Sequence, residues 1–232
     1  MKKRSKRYKK LEQFSTKGKK IELKEIFDLV KKTSTTKFDE SIDVSMRINL
    51  KQSKGADFSL RTIIKLPNGS GKKYKIAVLC EPDKIEEAKK SGADTVGSDD
   101  LLEKIGGGKI NFDKLVCTPV MMGKIGKHGK VLGPKGLMPN PKLGTVSEDI
   151  KKAVTDAKFG QAEIRNDKDG NIGLSIGKKS FHDDQLLKNY HAILDALEKE
   201  KSNNTLKGDL IRNTFVTSTM GVSYKVKLGK SI

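Results

Sequence analysis

The basic stretch VLGPKGLMPNPKLGT at residues 131–145 has the composition of a phosphate-binding loop. A nucleotide-binding P-loop requires G-x-x-x-x-G-K-[ST] between a strand and a helix. In this stretch Lys135 precedes Gly136, which is the wrong order. A second candidate, NGSGKK, has Leu66 where the motif requires glycine and Lys73 where it requires Ser or Thr. Neither stretch is a P-loop, which disfavours a nucleotide-dependent enzyme.

Side chains that often perform catalysis or hold metals lack the necessary spacing. The three histidines, His128, His182 and His191, show no metal-ligand pattern. Cys80 and Cys117 have no C-x-x-C partner, and no serine lies in a G-x-S-x-G elbow. Both cysteines end apolar runs, which indicates buried, reduced thiols and a cytoplasmic protein. We expect no enzyme, no metal and no cofactor.

Positive charge is concentrated in two blocks of the chain. The 232 residues include 48 Lys and Arg against 29 Asp and Glu, a net charge of +19. Residues 1–10 carry seven positive charges and no acid, and residues 114–147 also lack acids. Two acid-free blocks favour a nucleic-acid partner over a merely solubilising lysine surface. No apolar run approaches the roughly 20 residues of a membrane helix, so no membrane partner is expected.

The elements that position these residues begin with an open sheet. Residues 21–32 have helical periodicity. Residues 42–50 alternate between apolar and polar, as in a strand with one solvated face, and RTIIKLP at 61–67 is the expected partner strand. The polar segment at 67–73 then marks a break. The first part of the chain is therefore predicted to form an antiparallel layer.

The middle and last parts differ in character. Covered strands (KIAVLC and KLVC) alternate with helices, which predicts a small parallel α/β layer. Thr145 and Glu148 are interpreted as a capping box for a helix that continues to Lys158 and ends at Gly160. Strands with one polar face then return around the turn at 166–170, followed by a long helix and two more strands. One economical arrangement joins the outer parts into one domain, although composition does not decide this.

Two short segments offer nucleic-acid contacts. The hydroxyls of residues 217–219 can bond phosphates or 2′-hydroxyls, Met220 can pack on a sugar or base, and Gly221 permits close backbone approach. An ordinary turn between edge strands is an equally good interpretation. Lys37 and Phe38 place a cation beside a ring, whereas core packing is the alternative role of the ring. No standard RNA-binding module is visible, which favours recognition of RNA shape and backbone.

Seven separated stretches, spread over nearly the whole chain, have distinctive sequences: KRYKK (6–10), KFDES (37–41), SGADTVG (91–97), TPVMMGKIGKHGKVLGPKGLMPNPKLGTV (118–146), IRNDKDG (164–170), IGKKSF (176–181) and TSTMG (217–221). Together they resemble the bacterial type of the L-one family of large-subunit ribosomal proteins, found in the mobile stalk beside the tRNA exit site. GPKGLMPNPK combined with a terminal TMG is highly specific.

The resemblance implies an α/β fold with two domains. Domain I, residues 1–67 plus 160–232, is an α+β domain with an open antiparallel sheet and is the main RNA-binding domain. Domain II, residues 68–159, is an inserted α/β domain with a small, Rossmann-like parallel sheet. Apart from the resemblance, the alternative function is a phosphate-ligand enzyme or a nucleotide switch that uses the inserted α/β domain.

The resemblance also implies the partners. The protein would be a structural constituent of the large ribosomal subunit that is a monomer when free. It would bind the stalk junction of large-subunit ribosomal RNA, assist release of deacylated tRNA from the exit site, and repress translation of its own operon mRNA.

The family motifs place RNA contacts at ten residues of this sequence: Lys37, Phe38, Ser41, Arg165, Asp167, Lys168, Thr217, Thr219, Met220 and Gly221. Secondary contacts with RNA or tRNA are expected at four lysines of the inserted domain: Lys127, Lys130, Lys135 and Lys142. The family usually continues TMG with proline, whereas Val222 follows here and restores a backbone N–H.

Overall fold

The computed structural model describes residues 4–16, 18–49, 60–141, 144–159, 161–203 and 208–228. The chain divides into two compact units: unit 1 is Met1–Gly71 with Ala162–Ile232, and unit 2 is Lys72–Gln161. None of the described helices combines the length and the apolar composition that a membrane crossing requires.

In chain order, the helices and strands of the described residues are α1 (Lys6–Glu12), β1 (Lys20–Ile21), α2 (Leu23–Thr33), β2 (Ser41–Ile48), β3 (Arg61–Lys65), β4 (Ile76–Leu79), α3 (Ile85–Lys90), β5 (Thr95–Gly97), α4 (Asp99–Gly106), β6 (Lys114–Cys117), α5 (Pro119–Ile125), α6 (Gly129–Leu132), α7 (Ile150–Lys158), β7 (Gln161–Arg165), β8 (Asn171–Lys178), α8 (Asp183–Asn203), β9 (Ile211–Ser218) and β10 (Tyr224–Val226). Short 3-10 turns precede α3 and link α5 to α6.

A five-stranded sheet with the order β1-β10-β9-β2-β8 is the centre of unit 1. β2 is antiparallel to both of its neighbours, and the alternation predicted from residue 42 onward buries its apolar side chains on one face. The expected pairing of RTIIKLP with this strand is wrong: β3 pairs with β7. Both edges of β2 are already occupied by β8 and β9, so no edge is left for β3. Leu50, the last residue of the predicted alternation, lies outside the described residues.

Helices α2 and α8 contribute to the core of unit 1. α2 buries Ile26, Phe27 and Val30, as its periodicity predicts. α8 also buries a polar side chain, Asn189, which is fully covered. Its amide nitrogen donates to the carbonyls of Gly69 (2.9 Å) and Ile176 (2.7 Å), so the buried amide donor is satisfied.

The acid-free block at residues 1–10, called the basic arm below, overlaps a short helix, α1, that the charge pattern does not predict. Ser5 caps α1, because its hydroxyl accepts a hydrogen bond from the Tyr8 N–H at 3.2 Å. Leu11 is the buried residue of this helix, at 4% exposure. A seven-residue helix is too short to be stable alone in water, so α1 depends on what it packs against.

Unit 2 is a small α/β layer. Three parallel strands in the order β5-β4-β6 lie between two clusters of buried apolar side chains. Cys80 and Cys117 are buried free thiols, as predicted, and they belong to different clusters. Burial raises the pKa of the Cys117 thiol to about 11.

The predicted capping box of Thr145 and Glu148 is wrong. α7 begins at Ile150, and its cap is Asp149, whose carboxylate accepts a hydrogen bond from the Lys152 N–H at 3.1 Å. The Thr145 hydroxyl instead accepts the Asn140 N–H at 2.8 Å. The predicted end of this helix at Gly160 lies outside the described residues.

Candidate nucleic-acid interface

Seven of the predicted RNA-contacting residues meet at one end of the five-stranded sheet. Because β2 is antiparallel to β8 and β9, its first residues lie beside the last residues of both strands. Ser41 pairs with Lys178, and the next residue of β2 pairs with Ser218. The segments before β2 and after β9 therefore converge. We call this group the sheet-end surface: Lys37, Phe38, Ser41, Thr217, Thr219, Met220 and Gly221.

Thr219 fastens the turn after β9 to the start of β2. The Thr219 N–H donates to the Ser41 carbonyl at 3.0 Å, and the Ser41 N–H donates to the Thr219 hydroxyl at 3.0 Å. The same hydroxyl lies 3.3 Å from the Ser41 carbonyl. The Thr217 hydroxyl likewise donates to a backbone carbonyl, that of Ser218 at 3.1 Å. These hydroxyls position the surface as well as offering oxygens to a ligand.

Glu40 is a buried carboxylate beneath the sheet-end surface, with no exposed area. One oxygen accepts hydrogen bonds from the Thr36 N–H (3.2 Å) and hydroxyl (2.8 Å), and the other accepts the Met220 N–H (3.1 Å). Burial alone would raise the pKa of Glu40, but these hydrogen bonds outweigh it, and the pKa lies below its usual value. A single charged group thus holds together the two loops that carry Phe38 and Met220.

Two large apolar side chains of the surface are exposed to solvent. Phe38 is 53% exposed and Met220 is 50% exposed. The alternative interpretation of Phe38 as a core residue is therefore wrong. Lys37 beside it is also exposed, so the surface combines apolar contact area with positive charge. Such a combination suits stacking on bases or sugars next to a phosphate backbone.

Two lysines that sequence reasoning missed border the sheet-end surface. The Lys178 ammonium donates to the Ser41 hydroxyl at 3.0 Å. The Lys179 ammonium donates to the Ser34 carbonyl at 2.5 Å, and its backbone N–H donates to the Glu40 carbonyl at 2.8 Å. The signal is present in the stretch IGKKSF, where two lysines end a strand. Their contact with the loop before β2 follows from strand register, which composition does not reveal.

Gly221 has a close-approach requirement that explains its residue type. A Cβ atom at this position would lie 2.3 Å from the Ser218 hydroxyl, well inside contact distance. Its N–H donates to the Ser218 carbonyl at 3.2 Å, which closes the turn. The absence of a side chain at 221 lets the turn fold tightly against the end of β9.

The other three predicted contacts lie at the opposite end of β2. Arg47 near that end pairs with Asn171, about 20 Å along the strand from Ser41 at about 3.3 Å per residue. Arg165 and Lys168 are exposed there. The structure therefore separates these positions from the sheet-end surface.

The Asp167 side chain makes its hydrogen bonds within its own hairpin turn. Its carboxylate accepts hydrogen bonds from the backbone N–H of Asn171 (2.6 Å) and of Asp169 (3.0 Å), and from the Asn171 amide (2.9 Å). The Asn171 contacts are the main reason why the pKa of Asp167 is lowered. Its evident role is to shape the turn that presents Lys168.

Unit 2 exposes three of the four predicted lysines. Lys127, Lys130 and Lys135 are exposed, and Lys142 lies outside the described residues. Gly136 has a φ of 68°, a left-handed conformation that favours glycine. Within the described residues, no group of three or more His, Cys, Asp or Glu side chains is placed to hold a metal ion.

Two comparisons with known proteins show the family to which the sequence is similar. The family model described as "Ribosomal protein L1p/L10e family" matches residues 30–222, a range that includes the whole sheet-end surface and excludes α1. A protein named "Large ribosomal subunit protein uL1", from Pelagibacter ubique (strain HTCC1062), is 72% identical over 203 residues. That alignment covers 88% of this chain and 88% of the relative.

Proposed function

The chain belongs to the ribosomal protein L1p/L10e family, and from this premise we propose that it binds the stalk junction of large-subunit ribosomal RNA through the sheet-end surface. It is a structural component of the large ribosomal subunit, and the proposal includes no catalytic step. The binding residues would present a preformed shape to the folded RNA.

The convergence of the sheet-end surface supports this proposal most. Residues separated by about 180 positions in sequence are joined there by backbone and side-chain hydrogen bonds, as between Ser41 and Thr219. These hydrogen bonds hold the backbone of both segments in place, and Phe38 and Met220 remain exposed. Two exposed apolar side chains on loops whose backbone is already held, with lysines beside them, are suited to docking against RNA, because little backbone order has to be gained on binding.

Charge and shape would have separate parts in binding. Lys37 and Lys178 would neutralise phosphates and release counterions, which gives affinity without sequence preference. Phe38 and Met220 would contact bases or sugars that only the correct RNA fold presents. Arg165 and Lys168, at the other end of β2, would meet a second part of the same RNA.

Two further roles are proposed on the family premise. The exposed lysines of unit 2, with Lys142, would make weaker contacts with RNA or with exit-site tRNA and assist release of deacylated tRNA.

Binding of an mRNA segment that mimics the stalk junction would use the same sheet-end surface and repress translation of the protein's own operon. A junction-like motif near the start of that mRNA would support repression, and its absence would count against it.

Met220→Asp is the sharpest test of the sheet-end surface. The matched control is Val120→Asp, which places the same charge on another exposed apolar residue, 67% exposed, in unit 2. We expect Met220→Asp to weaken binding to a stalk-junction transcript at least about thirtyfold, as for a central contact residue. Val120→Asp should change it by less than about threefold, because general repulsion between exposed charges is screened by salt.

Filter binding and hydroxyl-radical footprinting on large-subunit ribosomal RNA measure the affinity and the location together. Thr219→Ala should also weaken binding, because it removes the hydroxyl that accepts the Ser41 N–H. Equal affinity of the Met220→Asp and Val120→Asp proteins for the junction would show that the RNA site lies elsewhere.

A further inference from the structure

The peptide unit that presents Met220 is held from two sides. Its N–H donates to the buried Glu40 carboxylate at 3.1 Å. The carbonyl of Met220 accepts a hydrogen bond from the Arg7 guanidinium at 2.6 Å. A second nitrogen of Arg7 donates to the Thr35 hydroxyl at 3.2 Å. The guanidinium therefore bridges the loop before β2 and the turn after β9, from a helix more than 200 residues away from Met220 in sequence.

We propose that Arg7 is a positioning residue of the RNA-binding surface and that α1 is a built part of that surface. The basic arm then has a specific role in addition to attracting phosphate over a distance. This inference rests on the proposed function, because it concerns how the sheet-end surface is held.

The geometry distinguishes Arg7 from the other cations of the arm. Arg7 is partly buried, whereas Lys6, Lys9 and Lys10 on the same helix are exposed. The guanidinium carries several donors in a fixed planar arrangement, so it can hold two acceptors in set directions. A lysine ammonium is a single point of charge on a flexible chain and does not reproduce this bridge.

The helix and the turn stabilise each other in this arrangement. α1 is only seven residues long, and a helix of this length needs tertiary contacts to persist. The buried Leu11 and the two hydrogen bonds of Arg7 are contacts that can hold it. Removal of the Arg7 bridge would therefore loosen α1 and release the carbonyl-side restraint on Met220 at the same time.

Arg7→Lys in the full-length protein tests the inference, with Lys9→Gln as the matched control. Arg7→Lys keeps the charge of the arm and removes the bridge. Lys9→Gln removes a charge from the same helix and leaves the bridge intact. The probe is a stalk-junction transcript, and its dissociation constant is measured over a series of salt concentrations.

We expect Arg7→Lys to weaken binding about three- to tenfold, which is the range for the loss of one ordinary hydrogen bond. Because the number of charges is unchanged, the plot of log affinity against log salt should shift down without a change in slope. Any loss of affinity in Lys9→Gln should shrink as salt increases. Unchanged affinity of Arg7→Lys, or a loss that disappears at high salt, would overturn the inference.

A double-mutant cycle with Met220→Ala separates positioning from direct contact with RNA. If Arg7 acts through Met220, then Arg7→Lys should cost much less affinity in the Met220→Ala protein than in the native one. Additive losses would show that Arg7 contacts RNA itself and would contradict a positioning role.

Hydrogen exchange of residues 6–12 should also increase in Arg7→Lys, independently of RNA. If Met220→Asp fails to weaken binding, the proposed function fails; if it weakens binding while Arg7→Lys does not, only this inference fails.

Discussion

Glu40 illustrates how one residue organises a surface without belonging to it. The carboxylate is covered completely, so an RNA ligand would not reach it. Its hydrogen bonds to Thr36 and Met220 compensate for burying a charge and set the spacing of two loops. A buried carboxylate that accepts several hydrogen bonds is sensitive to any change in its own oxygens or in the donors around it. The position therefore couples stability to the geometry of the sheet-end surface.

Glu40→Gln should destabilise the protein by about 2 kcal/mol at neutral pH, because the amide nitrogen would face an N–H or hydroxyl donor. The folded pKa of Glu40 lies below its usual value of 4.5, so its charge adds stability above that pH. This contribution is lost as the pH falls through the folded pKa. The difference in unfolding free energy between the native and Glu40→Gln proteins should therefore shrink in acid.

Urea unfolding at neutral pH and at a pH of about 3 measures this effect. Glu163→Gln is the control: this carboxylate is exposed and pairs with Arg61 at 2.6 Å, so its removal should cost less than about 1 kcal/mol. A pH-independent difference between the native and Glu40→Gln proteins would contradict the assignment of a stabilising charge to Glu40.

At the scale of single residues, the motifs of the family resemblance include the residues of the sheet-end surface, but they do not reveal which residues support it. TSTMG and KFDES contain exposed Met220 and Phe38, whose residue types already suggest contact. Glu40 lies within KFDES, but a buried acid cannot be distinguished from a surface acid without knowing its partners. Arg7 lies in a run of similar cations, and only its hydrogen bonds to distant residues separate it from its neighbours.

At the scale of elements, the start of α7 shows how a local pattern can mislead. Thr145 and Glu148 have the spacing of a capping box, yet the helix begins five residues after Thr145. The Thr145 hydroxyl is used by Asn140 to close the preceding loop. The cap is instead Asp149, directly before the first helical residue. A hydroxyl can cap a helix or close a loop, and tertiary structure decides between them.

Asp149→Ala should therefore destabilise α7 by about 1 kcal/mol, the usual cost of removing an N-cap. Glu148→Gln, the change expected to matter if Thr145 and Glu148 formed the cap, should have little effect. Hydrogen exchange of the amides at 150–158 reports on the helix directly. Faster exchange in Glu148→Gln than in Asp149→Ala would favour the capping box over the Asp149 cap.

Strand pairing is the other limit of prediction at this scale. Alternation identifies the solvated and buried faces of residues 42–48, because periodicity is a local property of the chain. Proximity in sequence predicts the wrong partner for β3, because β8 and β9 from the second half of the chain flank β2. The pairing that creates the sheet-end surface is therefore non-local, and only the family resemblance anticipates it.

At the scale of the whole molecule, the net charge of +19 predicts attraction to RNA but not where RNA binds. Acid-free blocks occur in both units: residues 1–10 belong to unit 1, and residues 114–147 belong to unit 2. Long-range attraction depends on total charge and is screened by salt, whereas shape-dependent contacts are not. The two units should therefore differ in how salt affects the consequences of mutation.

Lys130→Glu combined with Lys135→Glu tests this difference in the complete protein. The change removes two positive charges, adds two negative ones, and leaves the sheet-end surface untouched. We expect it to weaken binding to the stalk-junction transcript less than Met220→Asp does, and to reduce the salt slope by about one for each phosphate that is no longer neutralised. Thr219→Ala, a neutral change, should leave the slope unaltered and lower affinity at every salt concentration. Because added repulsion fades as salt rises, the deciding comparison is made at high salt. If the lysine pair reduces affinity more than Met220→Asp does under that condition, unit 2 and not the sheet-end surface makes the main contact.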